Sequence, residues 1–459
     1  MSLRGSKNIY VSKGLVQLFE IIKLLVLANL ILPEDFGLFS VGFAIIAGLD
    51  VITQTGIVSA MINSDKNTEY YADQVFTFNI LRSSLLGICL FMASDLCAHL
   101  LNIGELANLL KYLSVSVVLQ GMLNPYLVKL QREFAYSLQM RYDLIVGLSS
   151  SIFTICLAYR LPTYESLVFG NIFYWFLRVT LSFIFVKELP RVVLSIRRIM
   201  ELFTFGKWVW LQTITLYATQ QFDKIYLSNF LSLNELGWYH MAHRIVSIPI
   251  SQISLTTVQV LFPVYSRLKN EVEHVMILFN EASRLILALT IPSLIFLSLN
   301  SEELLEIFLG IEWSKASVAL AILSVYAIFK ILGDTFTPLM SGLGYPYVDA
   351  WRNLSQSAVF VVGVLLLGQS ITLISVCYVV IASSLIGFLS SLALSSLTLK
   401  GRLRVKFPFF HWIFSSLIFI TIILILRTMV ASVLFEAILL VIILLTYFLK
   451  NKPKLNAFI

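Results

Sequence analysis

The chain is short of charge. Asp, Glu, Lys and Arg make up 13% of its 459 residues, about half the share usual in soluble domains. A water-soluble globule of this length could not clothe its surface with so few charges, so that class is excluded. Cysteine is scarce as well. Cys89, Cys97, Cys156 and Cys377 all lie in apolar runs with no CxxC or metal-ligand spacing. A disulfide scaffold and a zinc module are therefore excluded, and reduced, buried thiols are expected. Catalytic signatures are missing: no Walker A loop, no GxSxG, no HExxH. Met1–Lys13 is polar and basic, and no small-residue cleavage site follows the first apolar run, so a cleavable signal peptide is not expected. Nothing here predicts an enzyme, a cofactor or a metal site.

What the chain has is hydrocarbon. Apolar residues make up 58% of it, and the mean hydropathy is +0.87. Fourteen apolar spans follow one another, from near 14–32 to near 429–449. Each approaches the roughly 20 residues that cross a bilayer as a helix. The fold class expected is an all-α polytopic membrane protein. The longest connections, near 129–141 and 187–202, leave no room for a soluble domain.

The net charge of +7 is mostly a topology signal. Lys7, Lys13, Lys66, Lys129, Arg141, Arg191, Arg267, Lys400 and Lys450 belong to a set of 20 basic residues in the termini and even-numbered loops. The odd-numbered loops hold only Arg160, Lys315 and Arg427. This bias puts both termini in the cytoplasm and leaves a nucleic-acid partner without support.

An internal echo divides the chain. Leu27–Ile45 reads LANLILPEDFGLFSVGFAI, and Leu227–Ile245, 200 positions on, reads LSNFLSLNELGWYHMAHRI. Each gives a helix end with Asn, an acidic turn, then Gly37 or Gly237 opening the next helix. Duplication is a common way of building membrane transporters. Two six-helix lobes are expected, residues 1–186 and 203–400. A cytoplasmic linker, 187–202, joins them, its basic amphipathic part lying on the inner leaflet. Residues 401–459 form an appended helix pair and basic tail.

The charges kept inside spans are the candidate site, because each costs on the order of 3 kcal/mol there. Some have a partner on their own helix: Glu20 with Lys23, Glu281 with Arg284, Asp349 with Arg352, and Lys330 with Asp334. Arg82, Lys111, Arg178, Arg244, Asp50 and Asp95 have none at helical spacing. His240 and His243 stand near Arg244 without a further ligand cluster, so hydrogen bonding is the better reading for them. Pro249, Pro292 and Pro338 interrupt spans.

At these residues the chain resembles the Wzx-type polysaccharide flippases of the multidrug/oligosaccharidyl-lipid/polysaccharide exporter superfamily. The likeness is carried by LILPEDFGLFSV, by NPYLVKLQREFAYSLQMRYD in Asn124–Asp143, by FDKIYLSNFLSLNELGWYHMAHRI, and by FLGIEW with GLGYPYVDAWRNL. One departure is Gln54, where the family pattern has an acid before the glycine. The resemblance implies six-helix lobes around a central cavity that alternates between the two faces of a bacterial inner membrane. It implies transport of an undecaprenyl-pyrophosphate-linked oligosaccharide for O-antigen, capsule or exopolysaccharide. Its partners would be the bilayer, a polysaccharide polymerase and a chain-length protein.

Within that frame Arg82, Lys224, Arg244, Arg284 and Lys330 are expected to face the cavity and meet a diphosphate. Asp223, Asp334 and Glu281 are the candidates for Na+ or H+ coupling. A drug or metabolite antiporter of the same superfamily is the alternative, but it would favour interior acids over bases. A membrane glycosyltransferase is a third reading, and the lack of a large extramembrane loop argues against it.

Overall fold

The computed structural model describes residues 3–399, apart from short breaks within 54–66, 133–135, 194–196 and 204–221 and at 369. The expected appended pair, 401–459, lies outside the described residues, as does half of the expected span near 203–230. Among the described residues the chain is helical with no strand. Eight stretches of them are long and apolar enough to span a bilayer, with Leu106–Gly121 as a shorter apolar helix. Hydrocarbon offers backbone groups no partners, so helices that satisfy their own N–H and C=O are what such a sequence can form.

The chain forms two compact units, Met1–Gly237 and Trp238–Ile459. In the first, α1 (Leu3–Leu30), α2 (Pro33–Thr53), α3 (Thr68–Leu101) and α4 (Leu106–Gly121) are followed by a short α5 (Val128–Arg132). Then come α6 (Tyr136–Ala158), α7 (Tyr164–Phe185), α8 (Phe222–Leu227) and the first turn of α9 (Leu233–Arg267). Helix α4 packs between α3 and α7, and α6 between α7 and α1. Leu106, Leu109, Leu110 and Leu113 of α4 are fully buried. Their spacing is that of one helix face. Asn102, in the left-handed region at φ 55°, ends α3 and turns the chain back into α4.

The second unit contains the rest of α9, α10 (Val272–Leu299) and α11 (Ser301–Leu309). It continues with α12 (Ser317–Asp334), α13 (Phe336–Gly342), α14 (Tyr347–Leu367) and α15 (Leu373–Thr398). Helix α15 packs against both α12 and α14, and α12 also against α10. Pro249 and Pro292 sit inside continuous helices. Pro338 instead accompanies a break at Thr335 between α12 and α13. Proline has no N–H for the carbonyl of Asp334, four residues back, and its ring crowds that carbonyl.

The two echo segments share a local pattern, although α1 runs to Leu30 whereas α8 ends at Leu227. The Ile31 N–H reaches Leu27 O at 2.9 Å, and the Leu231 N–H reaches Leu227 O at 2.9 Å. Asn29 Nδ2 donates to Leu25 O at 2.8 Å and Asn229 Nδ2 to Ile225 O at 3.5 Å. Helix α2 then starts at Pro33 and α9 at Leu233, where Ser232 and Glu235 form a reciprocal cap (Ser232 N–H to Glu235 Oε2 2.9 Å, Glu235 N–H to Ser232 Oγ 3.3 Å). The two helix starts touch. A Cβ on Gly37 would lie 2.0 Å from Leu233 O, and one on Gly237 would lie 1.9 Å from Pro33 O. Backbone meets backbone here, and only glycine permits it.

The segment 187–202 is held to the first unit. Asn124, fully buried, accepts the Tyr126 N–H and donates to Glu188 O at 2.9 Å. The Arg191 and Val193 N–H groups reach Asp73 Oδ1 (3.0 Å) and Thr77 Oγ1 (2.9 Å) at the start of α3. Arg198 lies over the Tyr70 ring at 4.3 Å. Ile199 and Leu202 enter a core with Met61, Tyr71, Val75 and Val128. The expectation that this amphipathic face lies on lipid needs correcting to that extent. Part of it is buried against protein, because Tyr71 and Val75 of α3 and Val128 of α5 offer Ile199 and Leu202 an apolar surface. Leu189 and Val192 remain exposed.

Candidate functional site

Each unit holds a polar cluster built on membrane-spanning helices. In the first, Asp50 of α2 accepts Arg82 Nη1 of α3 at 3.0 Å and Gln120 Nε2 of α4 at 3.0 Å, one on each carboxylate oxygen. Arg82 Nη1 also donates to Thr53 Oγ1 at 2.9 Å. The Arg82 side chain is only 12% exposed, and its Nε is buried with no hydrogen-bond partner. Neither Asp50 nor Arg82 has a partner at helical spacing on its own helix. Their partner is the other, 32 positions away on the neighbouring helix. Lys111 and Asp95 pair in the same way at 2.8 Å, in a far more exposed setting.

In the second unit Asp334 Oδ1 accepts both Lys330 Nζ (2.7 Å) and Arg352 Nη1 (2.5 Å). Arg352 also donates to Asp349 Oδ1 from Nη2 (2.7 Å) and Nε (3.0 Å), and Thr337 Oγ1 reaches the same oxygen at 2.6 Å. Arg352 is buried, with 6% of its side chain exposed. The helical spacings Lys330/Asp334 and Asp349/Arg352 were legible in sequence. The bond that ties the two pairs into one network, Arg352 to Asp334, was not, because it spans α12 and α14. Glu281 and Arg284 pair along α10 at 2.9 Å, and Glu20 and Lys23 along α1 at 2.8 Å.

The remaining expected residues are placed as follows. Lys224 on α8 is buried in the first unit, and Arg244 on α9 is exposed within the second. Asp223 belongs to α8, and its side chain lies outside the described residues. Thus Arg82 comes together with Asp50, and Lys330 with Asp334 and Arg352, whereas Arg284 keeps to its own helix. His243 hydrogen-bonds Ser247 at 3.2 Å and stacks on Tyr326 with ring centroids 5.9 Å apart. Arg178 of α7 donates to the Tyr174 hydroxyl and lies against the Trp175 ring at 5.5 Å, an aromatic sleeve that spacing did not disclose. No group of three or more His, Cys, Asp or Glu able to hold a metal occurs among the described residues.

Outside the spans, Lys129 of α5 bridges Glu69 (3.1 Å) and Glu188 (2.7 Å). The hydrogen bond to Glu188 raises the Lys129 pKa above its usual value, and the same bond lowers that of Glu188.

A helical protein with charge networks threaded through its spans has the make-up of a transporter. Residues 26–318 match the family model for polysaccharide biosynthesis proteins. The chain belongs to that family. Among curated relatives, the lipopolysaccharide biosynthesis protein WzxC of Escherichia coli K12 is 21% identical over 376 residues. The match covers 80% of this chain and 76% of that one. The succinoglycan biosynthesis transport protein ExoT of Rhizobium meliloti is 24% identical, covering 72% of this chain and 67% of that one. Among solved structures, the lipid II flippase MurJ in an inward closed conformation matches with a TM-score of 0.76 at 15% identity, over 97% of this chain and 99% of that one. The structural likeness shows a shared fold. This polysaccharide-biosynthesis family member is thus a multi-pass, all-α membrane protein with the fold of that flippase.

Proposed function

We propose that this family member flips lipid-linked oligosaccharide repeat units, carried on an undecaprenyl diphosphate, from the cytoplasmic to the periplasmic leaflet. The product would feed surface polysaccharide assembly, with a polymerase and a chain-length protein acting downstream. Its lobes are residues 1–186 and 203–400 with the linker 187–202, it works by alternating access in a bacterial inner membrane, and both termini are cytoplasmic.

The observation that carries this reading is the state of the intramembrane acids. Asp50, Glu281, Asp334 and Asp349 each already hold a cation. An exporter of organic cations needs an acid that is available to its cargo, and none of these four is. Arg82 keeps Nε unpaired, so a buried guanidinium donor is ready for a phosphate oxygen, the group that Arg recognises with charge-assisted bonds. Lys224, Arg244, Arg284 and Lys330 complete the proposed diphosphate path. Lys224 lies three residues before the end of α8 and Arg244 eleven residues beyond the start of α9, on either side of the short connection at 228–232. Coupling fits the same groups. Na+ or H+ taken up at Glu281 or Asp334 would release Arg284, Lys330 or Arg352 toward the diphosphate; Asp223 is the third coupling candidate. No step in this cycle makes or breaks a covalent bond, and the protein acts as a transporter rather than an enzyme.

Deletion of the gene tests the reading. Loss of the surface glycan with accumulation of its lipid-linked precursor is expected, and restoration by Arg244→Lys but not by Arg244→Ala. Normal glycan export from a Lys224→Ala, Arg244→Ala double variant would refute the diphosphate path. Normal export after deletion would refute the function itself.

A further inference from the structure

A groove of about 470 Å3 lies on the outer face of the first unit, between α6 and α7. Its lining is Leu138, Leu144 and Ile145 from α6, and Ile184 and Phe185 from α7, with one charged residue, Arg141. Its floor is built. Tyr142 is buried behind it, with its ring edge-on to Phe185 at 5.8 Å and its hydroxyl donating to Arg178 O at 2.7 Å. The rim is open: Leu138, Ile145 and Ile184 are exposed. Arg141 lies in the second turn of α6, between Leu138 and Leu144 of the lining, and Lys187 follows the end of α7 by two residues, so both cations lie toward the side on which α6 begins and α7 ends. Asp143 is rotated about 200° around the helix from Arg141 and does not share its face.

We propose that this groove seats one acyl chain of an anionic phospholipid whose phosphate rests on Arg141 and Lys187. Three observations argue for that occupant. Among the described residues the lining offers hydrocarbon with no polar side chain except a cation, which suits a ligand that is apolar with an anionic end. The charge lies toward the side of the groove on which α6 begins and α7 ends, so a headgroup there leaves its chain to run along the helices toward Leu144 and Ile145. The volume suits a single acyl chain, and because the groove is open a polyprenyl diphosphate is included in the test as the competitor. By the basic-residue bias the cationic end faces the cytoplasm, whose leaflet carries the anionic lipids that attract Lys and Arg. The inference does not depend on the transport reading, because binding can be measured without transport.

The test is native mass spectrometry of the full-length protein in detergent, titrated with phosphatidylglycerol or with phosphatidylcholine of identical chains. Tighter binding of phosphatidylglycerol is expected. Arg141→Gln should weaken it about fivefold, the effect of one basic residue at a lipid surface, and leave phosphatidylcholine unchanged. Ile145→Trp, which fills the groove, should weaken both. Arg197→Gln, on the linker and 92% exposed, should change nothing. Arg141 is itself exposed, so its variant should fold and carries the test even where Ile145→Trp does not accumulate. Equal binding of the two lipids, or Arg141→Gln binding phosphatidylglycerol like the wild type, would overturn the proposal. So would a polyprenyl diphosphate that displaces phosphatidylglycerol from the wild type but not from Arg141→Gln.

Discussion

Replacing Gly37 by alanine adds one methyl group at the point where the starts of α2 and α9 meet. The new Cβ would lie 2.0 Å from Leu233 O and 2.9 Å from both Gly237 N and Leu233 C, whereas ordinary contact begins at 3.4 Å. All three atoms are backbone, so no rotamer change relieves the clash. One helix start must move by about 1.4 Å relative to the other. Overpacking of this kind costs about 1–3 kcal/mol, and rigid neighbours place the cost at the upper end. For a unit of this size, each kcal/mol lowers the melting temperature by about 2–4 °C. Gly37→Ala should therefore melt roughly 6–12 °C below the wild type when purified protein is heated and followed by intrinsic fluorescence. Gly237→Ala, whose Cβ would meet Pro33 O at 1.9 Å, should behave alike. Gly104 is the control, since a Cβ there meets nothing within 4 Å and Gly104→Ala should be silent. Were Gly37→Ala to melt with Gly104→Ala, the close backbone contact would be wrong.

Arg352→Ala strips Asp334 and Asp349 of a buried partner and should cost about 3–5 kcal/mol; Arg352→Lys should recover only part, as an ammonium cannot span both acids with a planar fork. A melt of Arg352→Lys identical to wild type would count against the network. Asp95→Ala removes a pair whose acid is 71% exposed, so it should shift stability by less than about 1 kcal/mol. The contribution of Lys129 and Glu188 has a defined pH window. The Glu188 pKa is lowered from 4.5, so its share is present above that value and lost as pH falls through the depressed one. The Lys129 pKa is raised from 10.5, so its share is present below that value and lost as pH climbs through the raised one. The melting difference between wild type and Lys129→Gln should be flat at neutral pH and should close at acid pH. Finally, a reporter active only in the periplasm should be silent when fused to the C-terminus.

Much of this protein was legible in one dimension because its physics is local. Low charge and long apolar spans dictate membrane helices, since a bilayer accepts little else. The pairs Glu20/Lys23, Glu281/Arg284, Lys330/Asp334 and Asp349/Arg352 follow from the helical period alone, and all four form. The echo and its fixed offset were readable, but the helices start at Pro33 and Leu233, four residues before the glycines expected to open them, because the acidic residues expected in a turn form the first helical turn. What sequence could not supply was the register of one helix against another. Asp50 and Arg82 are 32 positions apart, Asp334 and Arg352 are 18 apart, and no local rule connects them. Their meeting depends on how far α2 and α3 each slide along α4, and α12 and α14 each along α15. That sliding is fixed by the packing of many apolar side chains whose order carries no pairing code. The same holds for the glycines. Gly37 and Gly237 stood out in the text as helix openers, but only the tertiary structure makes them each other's neighbours, because a residue without a side chain announces nothing about the backbone it will touch.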